Sequence, residues 1–245
     1  DYYSIPASKI VPLLTNISFE EEQLQKAKAY LTNWNFVLDK NSIAAGIYVA
    51  LEKEIATMMG SLLIPAEVKS YISLQISTII ERLEKPSTHF GEHAIDKRNQ
   101  LLQEAFVKAI NNLNKKLGPS MDQWVYGQAK YKHSTMEHPL SAIVNNELRQ
   151  QLNLGPLPRG GSGQTPGSTG GTDNQLSGAS FRILIDTKDW DKALMINTPG
   201  QSGNPDSPYY RNLFETWAND QYFPAYYSKE KIKSVTKEII LLQPH

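Results

Sequence analysis

Two histidines four residues apart stand in "HFGEH" (89–93), the spacing at which a helix presents both imidazoles to one metal ion. The helical zinc-hydrolase pattern also needs Glu directly after the first His, where this sequence has Phe90. With Pro86 and Gly91 nearby, the stretch reads as an exposed connection between helices, and no metal ligand is assigned. His133 and His138 stand in "HSTMEHP" without a ligand cluster around them and read as structural histidines. "GGSGQTPGSTGG" (160–171) lacks the Gly-Lys-Ser/Thr ending of a phosphate cradle, and "GQSGN" has its serine in the wrong frame for a nucleophile elbow. In "SGASFRILID", Arg182 and Asp186 are four residues apart on a strand and so share a face. A buried salt bridge between them is favoured over a role in a site. Trp34, Trp124, Trp190 and Trp217 read as core anchors. These residues make no self-sufficient active site, and they indicate no cofactor.

The elements that would carry them differ along the chain. Residues 1–150 read as a helical region. The stretch 19–33 has Leu24, Ala27, Tyr30 and Leu31 at helical spacing, with Ser18 and Glu21 arranged as a capping box. Asn41 or Ser42 caps the next helix, with Ile43, Ile47, Leu51 and Ile55 on one face. A third helix is expected over 66–84, ended by Lys85-Pro86, and a fourth over 96–117, stopped by Gly118-Pro119. Residues 151–179 are rich in Gly, Ser and Pro and read as a long loop or linker. Residues 180–245 read as β-rich: a hairpin from "SFRILIDT" and "KALMINT", a short helix at 228–233, and a strand in "KEIILLQ". Ile239, Ile240, Leu241 and Leu242 make that last run apolar on both faces, as in a strand buried between layers. A hairpin and one strand make a poor sheet alone, so further strands are expected from a longer polypeptide.

Composition narrows the partners. Basic and acidic residues balance at 25 each, so no overall field favours nucleic acid or an anionic membrane. The absence of cysteine excludes disulfides, thiol catalysis and Cys-ligated zinc. Apolar runs are broken by charge well short of a membrane span. The opening "DYYSIP" reads as a processed or excised piece. Near the other end, "NTPGQSGNPDSPYYRNLFETW" (197–217) is a Gly- and Pro-shaped loop that leads into a short amphipathic helix.

Four stretches, in order, resemble the penicillin acylase family of N-terminal-nucleophile hydrolases. "WVYGQAKYKHSTMEHPLS" is similar to that family's Trp-x-Trp-Gly and later His-Pro-Leu. "YLTNWNFVLDKNSIAAGIYVALEKEI" is similar to its Trp-Asp…Ser-x-Ala-Ala helical segment. "SGASFRILIDTKDW" resembles its Gly-x-Ser-x-Arg-x-x-x-Asp strand, and "GQSGNPDSPYYRNLFETW" its Gly-Gln-Ser-Gly-x-Pro-x-Ser-Pro-His-Tyr loop and helix. The sequence departs from the pattern at Tyr126 for Trp, Lys130 for His and Tyr209 for His. It also has Gly161-Ser162-Gly163 for Gly-Asp-Gly.

The resemblance implies an α+β fold, a helical first half followed by a β-rich part, as a portion of an α-β-β-α sandwich. It implies the C-terminal half of the β-chain of an amidase that cleaves the amide of an N-acylated amine. Such a substrate would be a β-lactam side chain, an N-acyl homoserine lactone or a related amide. The nucleophile, a Ser freed by self-cleavage, would lie outside this chain, as would the ligands for the structural calcium common in the family. Partners would be the upstream half of the β-chain and the α-chain, with no nucleic acid or membrane, and the location periplasmic or secreted. Asp186 is the one candidate near the chemistry, helping to orient a His supplied from elsewhere. Two rival readings are a non-catalytic binding module gripping a ligand with Tyr2, Tyr3, Tyr209, Tyr210, Tyr222, Tyr226 and Tyr227, and a degenerate structural homologue.

Overall fold

The computed structural model describes residues 1–171 and 173–243. The fold is mixed α and β, a helical first half followed by small sheets, as expected. It divides into two compact units: residues 1–135 with 156–178, and residues 136–155 with 179–245.

The first unit is built on α1 (Ile5–Ile10), α2 (Glu22–Thr32), α3 (Ile43–Leu63), α4 (Ile76–Glu84) and α5 (Ala94–Leu117). Ser42 caps α3, the Ala45 N–H donating to its Oγ at 3.1 Å. Ile47, Leu51, Ile55 and Met59 then face inward at helical spacing, and α3 packs along α5 through Leu102, Phe106, Ala109 and Leu113. Gly118, with φ of 94°, stops α5.

Two helix boundaries differ from expectation. The expected capping box at Ser18 does not form, and α2 begins only at Glu22. Phe19 is buried against Phe106, ring centroids 4.8 Å apart, and Gln25 Nε2 donates to the Phe19 carbonyl at 2.9 Å. These contacts hold residues 19–21 outside the helix. The helix expected over 66–84 is a single 3-10 turn, Ala66–Val68, followed by an irregular connection to α4. Tyr71 and Ile72 are exposed, so 66–75 offers no continuous buried stripe to hold helical turns.

The Gly-rich stretch is not a free linker. Residues 156–178 belong to the first unit, where Arg159, Thr165, Thr169 and Gln175 are buried. The Gly161 N–H donates to the Leu38 carbonyl at 2.8 Å, and Thr169 Oγ1 donates to the Gly160 carbonyl at 3.0 Å. A Cβ on Gly160 would sit 2.6 Å from the Leu38 oxygen, so glycine here permits close backbone approach. β1 (His133–Met136) and β2 (Leu154–Pro158) form one two-stranded sheet, and β3 (Gly170–Gly171) and β4 (Gln175–Ser177) another.

The second unit contains α6 (Asn146–Leu152), capped by Asn145, and an antiparallel sheet of β5 (Phe181–Leu184), β6 (Leu194–Asn197) and β7 (Phe223–Pro224). The expected hairpin is β5 and β6, with Arg182 opposite Ile196. Next, the loop from 198 folds back on itself, and the Gln201 and Leu213 N–H groups donate to the Tyr209 and Pro199 carbonyls. A Cβ on Gly200 would meet the Tyr209 oxygen at 2.1 Å, which accounts for a glycine there. The loop delivers α7 (Phe214–Ala218), whose Phe214 and Trp217 are buried; α8 (Lys229–Val235) follows, capped by Ser228. The expected strand near the C-terminus does not form. Residues 236–243 lie in no strand, and Ile239, Ile240, Leu241 and Leu242 are exposed. No strand among the described residues pairs with this run, so its apolar pattern alone cannot build a sheet.

Candidate functional site

The first unit contains a cavity of about 610 Å³, within the size range of small-molecule sites. α3 supplies Val49 and Glu52, α4 supplies Ile76 and Ile79, and α5 supplies Leu113 and Lys116. The connection after α5 contributes Tyr126, Tyr131 and Lys132, and the Gly-rich segment closes the wall with Gln164 and Asp173.

Tyr48 and Glu52 are four residues apart and therefore neighbours on one face of α3. The Tyr48 hydroxyl donates a short hydrogen bond to Glu52 Oε2. Burial pushes the Glu52 carboxyl above the usual carboxylate range, and the Tyr48 hydrogen bond draws it partly back. Burial, and then the Glu52 charge, raises the Tyr48 hydroxyl. Tyr126 and Tyr131 pack edge to face, ring centroids 5.3 Å apart. Their hydroxyls donate to the Gly161 and Gly46 carbonyls at 2.8 and 2.7 Å.

Two lysines face this group differently. Lys116 pairs with Asp173 at 2.6 Å and lies 4.4 Å from the centroid of the Tyr131 ring. Lys132 is buried and donates to the Thr169 carbonyl at 2.6 Å. Burial first, then the neighbouring Arg159, lowers its pKa to about 8, with Asp173 acting in the opposite sense.

The residues singled out from sequence lie elsewhere. Arg182 and Asp186 do not pair. Arg182 ion-pairs with Asp220, donates from Nη2 to the Trp217 carbonyl at 2.6 Å, and lies 5.5 Å from the ring centroids of both Trp217 and Tyr222. Asp186 lies just beyond β5, exposed, and accepts the Lys188 N–H at 2.9 Å. The chain has left the strand before Asp186, so strand alternation no longer relates it to Arg182.

Each described histidine has a local partner. His89 meets Arg82, and His93 lies 3.9 Å from Asp96. His133 contacts the Tyr131 carbonyl at 3.2 Å, and His138 Nδ1 accepts the Leu140 N–H at 3.1 Å. Among the described residues no cluster of three or more His, Asp or Glu could hold a metal, and no helix is long and apolar enough to cross a membrane. The tyrosines of the binding-module reading are divided between the units: Tyr2 and Tyr3 belong to the first, where Tyr3 packs edge to face on Phe36, and the others belong to the second. Tyr210 donates to the Leu152 carbonyl at 2.7 Å, Tyr227 packs on Trp190, and Tyr222 lies beside Arg182.

Sequence reading missed the cavity. Its one local signal was Tyr48 and Glu52 at i, i+4 within an otherwise apolar face.

A family model described as penicillin amidase matches residues 1–234. Acyl-homoserine lactone acylases named QuiP are similar in sequence to about half of the chain. The one from Pseudomonas syringae pv. syringae is 28% identical over 127 residues, taking in 50% of this chain and 15% of that protein. The one from Pseudomonas syringae pv. tomato is 30% identical over 128 residues, with the same coverage. A thermostable penicillin G acylase from Alcaligenes faecalis matches the fold with a TM-score of 0.55 at 16% identity, over 100% of this chain and 48% of that one.

Proposed function

Because the chain belongs to the penicillin amidase family, we propose that it is the C-terminal part of the β-chain of an N-terminal-nucleophile acylase. The match over residues 1–234 carries this reading, and the likeness to acyl-homoserine lactone acylases supports the substrate class. The parent enzyme would hydrolyse the amide of an N-acylated amine: an acyl-homoserine lactone, a β-lactam side chain or a related amide. A Ser exposed by self-cleavage elsewhere in the parent would attack the carbonyl carbon, its own α-amine taking the hydroxyl proton. Fixed backbone and amide donors would stabilise the oxyanion, and the protonated amine would leave. Such an enzyme would be exported to the periplasm or medium, would act in quorum quenching or antibiotic metabolism, and would hold any structural calcium outside this chain.

In this proposal the present chain is scaffold. The upstream half of the β-chain and the α-chain would complete the sheets, and the exposed 239–242 run would pair there. The exposed carboxylate of Asp186 would meet a histidine of the parent and orient it. The chain alone would be inactive.

The test is to express the parent polypeptide, weigh its chains by mass spectrometry, and follow amine release from acyl-homoserine lactones and phenylacetyl amides. Two chains with a Ser at the new N-terminus and steady amine release are expected. A single uncut chain with no amine release would overturn the reading in favour of a degenerate structural homologue.

A further inference from the structure

Three carboxylates line the cavity of the first unit, Glu52, Glu54 and Asp173, and among the described residues only Asp173 has an ammonium partner, while Glu54 accepts Asn112 Nδ2 at 3.0 Å. Asp173 takes Lys116, whose Nζ also lies over the Tyr131 ring. Glu52 accepts the Tyr48 hydroxyl on Oε2, and no basic side chain among the described residues pairs with it. Tyr126 and Tyr131 line the same cavity as Glu52, and burial, with the Glu52 charge among the further causes, raises both hydroxyl pKa values. A half-buried carboxylate without a counter-ion is costly to keep. The arrangement around Asp173 shows which group satisfies such a carboxylate here: an ammonium that can also face an aromatic ring.

We propose that this cavity binds a small organic ammonium ion with an apolar tail. Its N–H groups donate to Glu52 Oε1, its charge lies near Tyr126 and Tyr131, and its tail runs along Val49, Ile76 and Ile79. A charge-assisted hydrogen bond and the nearby ring electrons favour the cation over a neutral molecule of the same shape. Lys132 does not compete for Glu52, because its Nζ is held by the Thr169 carbonyl. The site does not depend on the acylase nucleophile, so binding and amide hydrolysis stand or fall separately.

Calorimetric titration of the parent protein with hexylamine near neutral pH, where it is the hexylammonium ion, tests the proposal beside 1-hexanol and hexanoate. Saturable hexylammonium binding is expected, with hexanol and hexanoate weaker by about tenfold or more. Glu52→Gln, which keeps an acceptor for the Tyr48 hydroxyl, is expected to weaken hexylammonium binding by a similar factor. Glu67→Gln, on an exposed turn, is expected to leave it unchanged. Cross-relaxation in NMR between the hexyl protons and the Tyr126 and Tyr131 rings is expected in the unmodified protein, and this readout holds even if Glu52→Gln does not fold. Absence of saturable binding, equal or tighter binding of hexanol or hexanoate, an affinity unmoved by Glu52→Gln, or no cross-relaxation with these rings would each overturn it.

Discussion

The guanidinium of Arg182 reaches across 38 residues of sequence to the carboxylate of Asp220 and leaves Asp186, four residues away, to solvent. Arg182 lies on β5, and Asp220 follows α7 with φ of 55°. The same guanidinium donates to the Trp217 carbonyl near the end of that helix, which also accepts the Asp220 N–H at 3.1 Å. One side chain therefore ties the sheet of the second unit to its buried helix.

Removing Asp220 strands a guanidinium whose side chain is only 14% exposed. Asp220→Ala is expected to destabilise the protein by about 1–3 kcal/mol. Asp186→Ala, at an exposed position, is expected to stay within about 0.5 kcal/mol of the parent. Denaturant titrations of both variants decide it, and an Asp186→Ala effect as large as that of Asp220→Ala would contradict the assignment.

The long helices were legible because periodicity, a cap and a stop agree in one stretch: Ser42 with Ile47, Leu51 and Ile55, or Leu101 and Leu113 with Gly118. The partner of Arg182 was not, since strand alternation describes neighbours within a strand and says nothing of a carboxylate 38 residues on. Composition misdescribed 156–178. Its glycines allow tight packing, and its backbone groups are taken up by Leu38 and Tyr126, both distant in sequence. The cavity was invisible for the same reason, since Glu52, Lys132 and Asp173 come together only through tertiary packing. The 239–242 run shows the converse limit, for an apolar pattern states a need for burial without supplying the surface that meets it.

Tyr126 joins the cavity wall to the Gly-rich segment through its hydroxyl on the Gly161 carbonyl. Tyr126→Phe keeps the ring and its contact with Tyr131 but leaves a buried carbonyl without that donor. A loss of about 1–2 kcal/mol is expected. Hydrogen exchange at residues 159–170 should rise more than the global change requires. Uniform exchange across the first unit would argue against a local tie.

At Gly46, α3 passes close to the connection after α5. A Cβ there would fall 2.4 Å from the Trp124 carbonyl oxygen and 3.3 Å from the Tyr131 ring. The nearer obstacle is backbone, and Tyr131 is pinned by its own hydrogen bond to the Gly46 carbonyl, so neither can yield cheaply. Gly46→Ala is expected to cost about 1–3 kcal/mol despite the helix propensity alanine gains. A melting temperature equal to or above that of the parent would refute the close approach.

Lys132 makes stability depend on pH in a direction that can be stated in advance. Its pKa in the folded chain is about 8, below the ordinary 10.5, mainly because burial disfavours the charged form. Between those values the unfolded chain holds a proton that the folded chain has released, so folding becomes more favourable as pH rises through that window. Below about pH 8 both forms are charged, and the whole penalty of burying the ammonium is present. Lys132→Met removes that titration, but it also deprives the Thr169 carbonyl of its donor, which costs about 1 kcal/mol at every pH. The melting temperature at one pH therefore mixes two effects. The difference in stability between parent and variant isolates the titration, because other groups in the same range cancel. That difference is expected to shift in favour of the parent from pH 8 to 10.5 and to be flat from pH 6 to 7. A difference constant across the upper window would mean that Lys132 titrates as an ordinary solvated lysine.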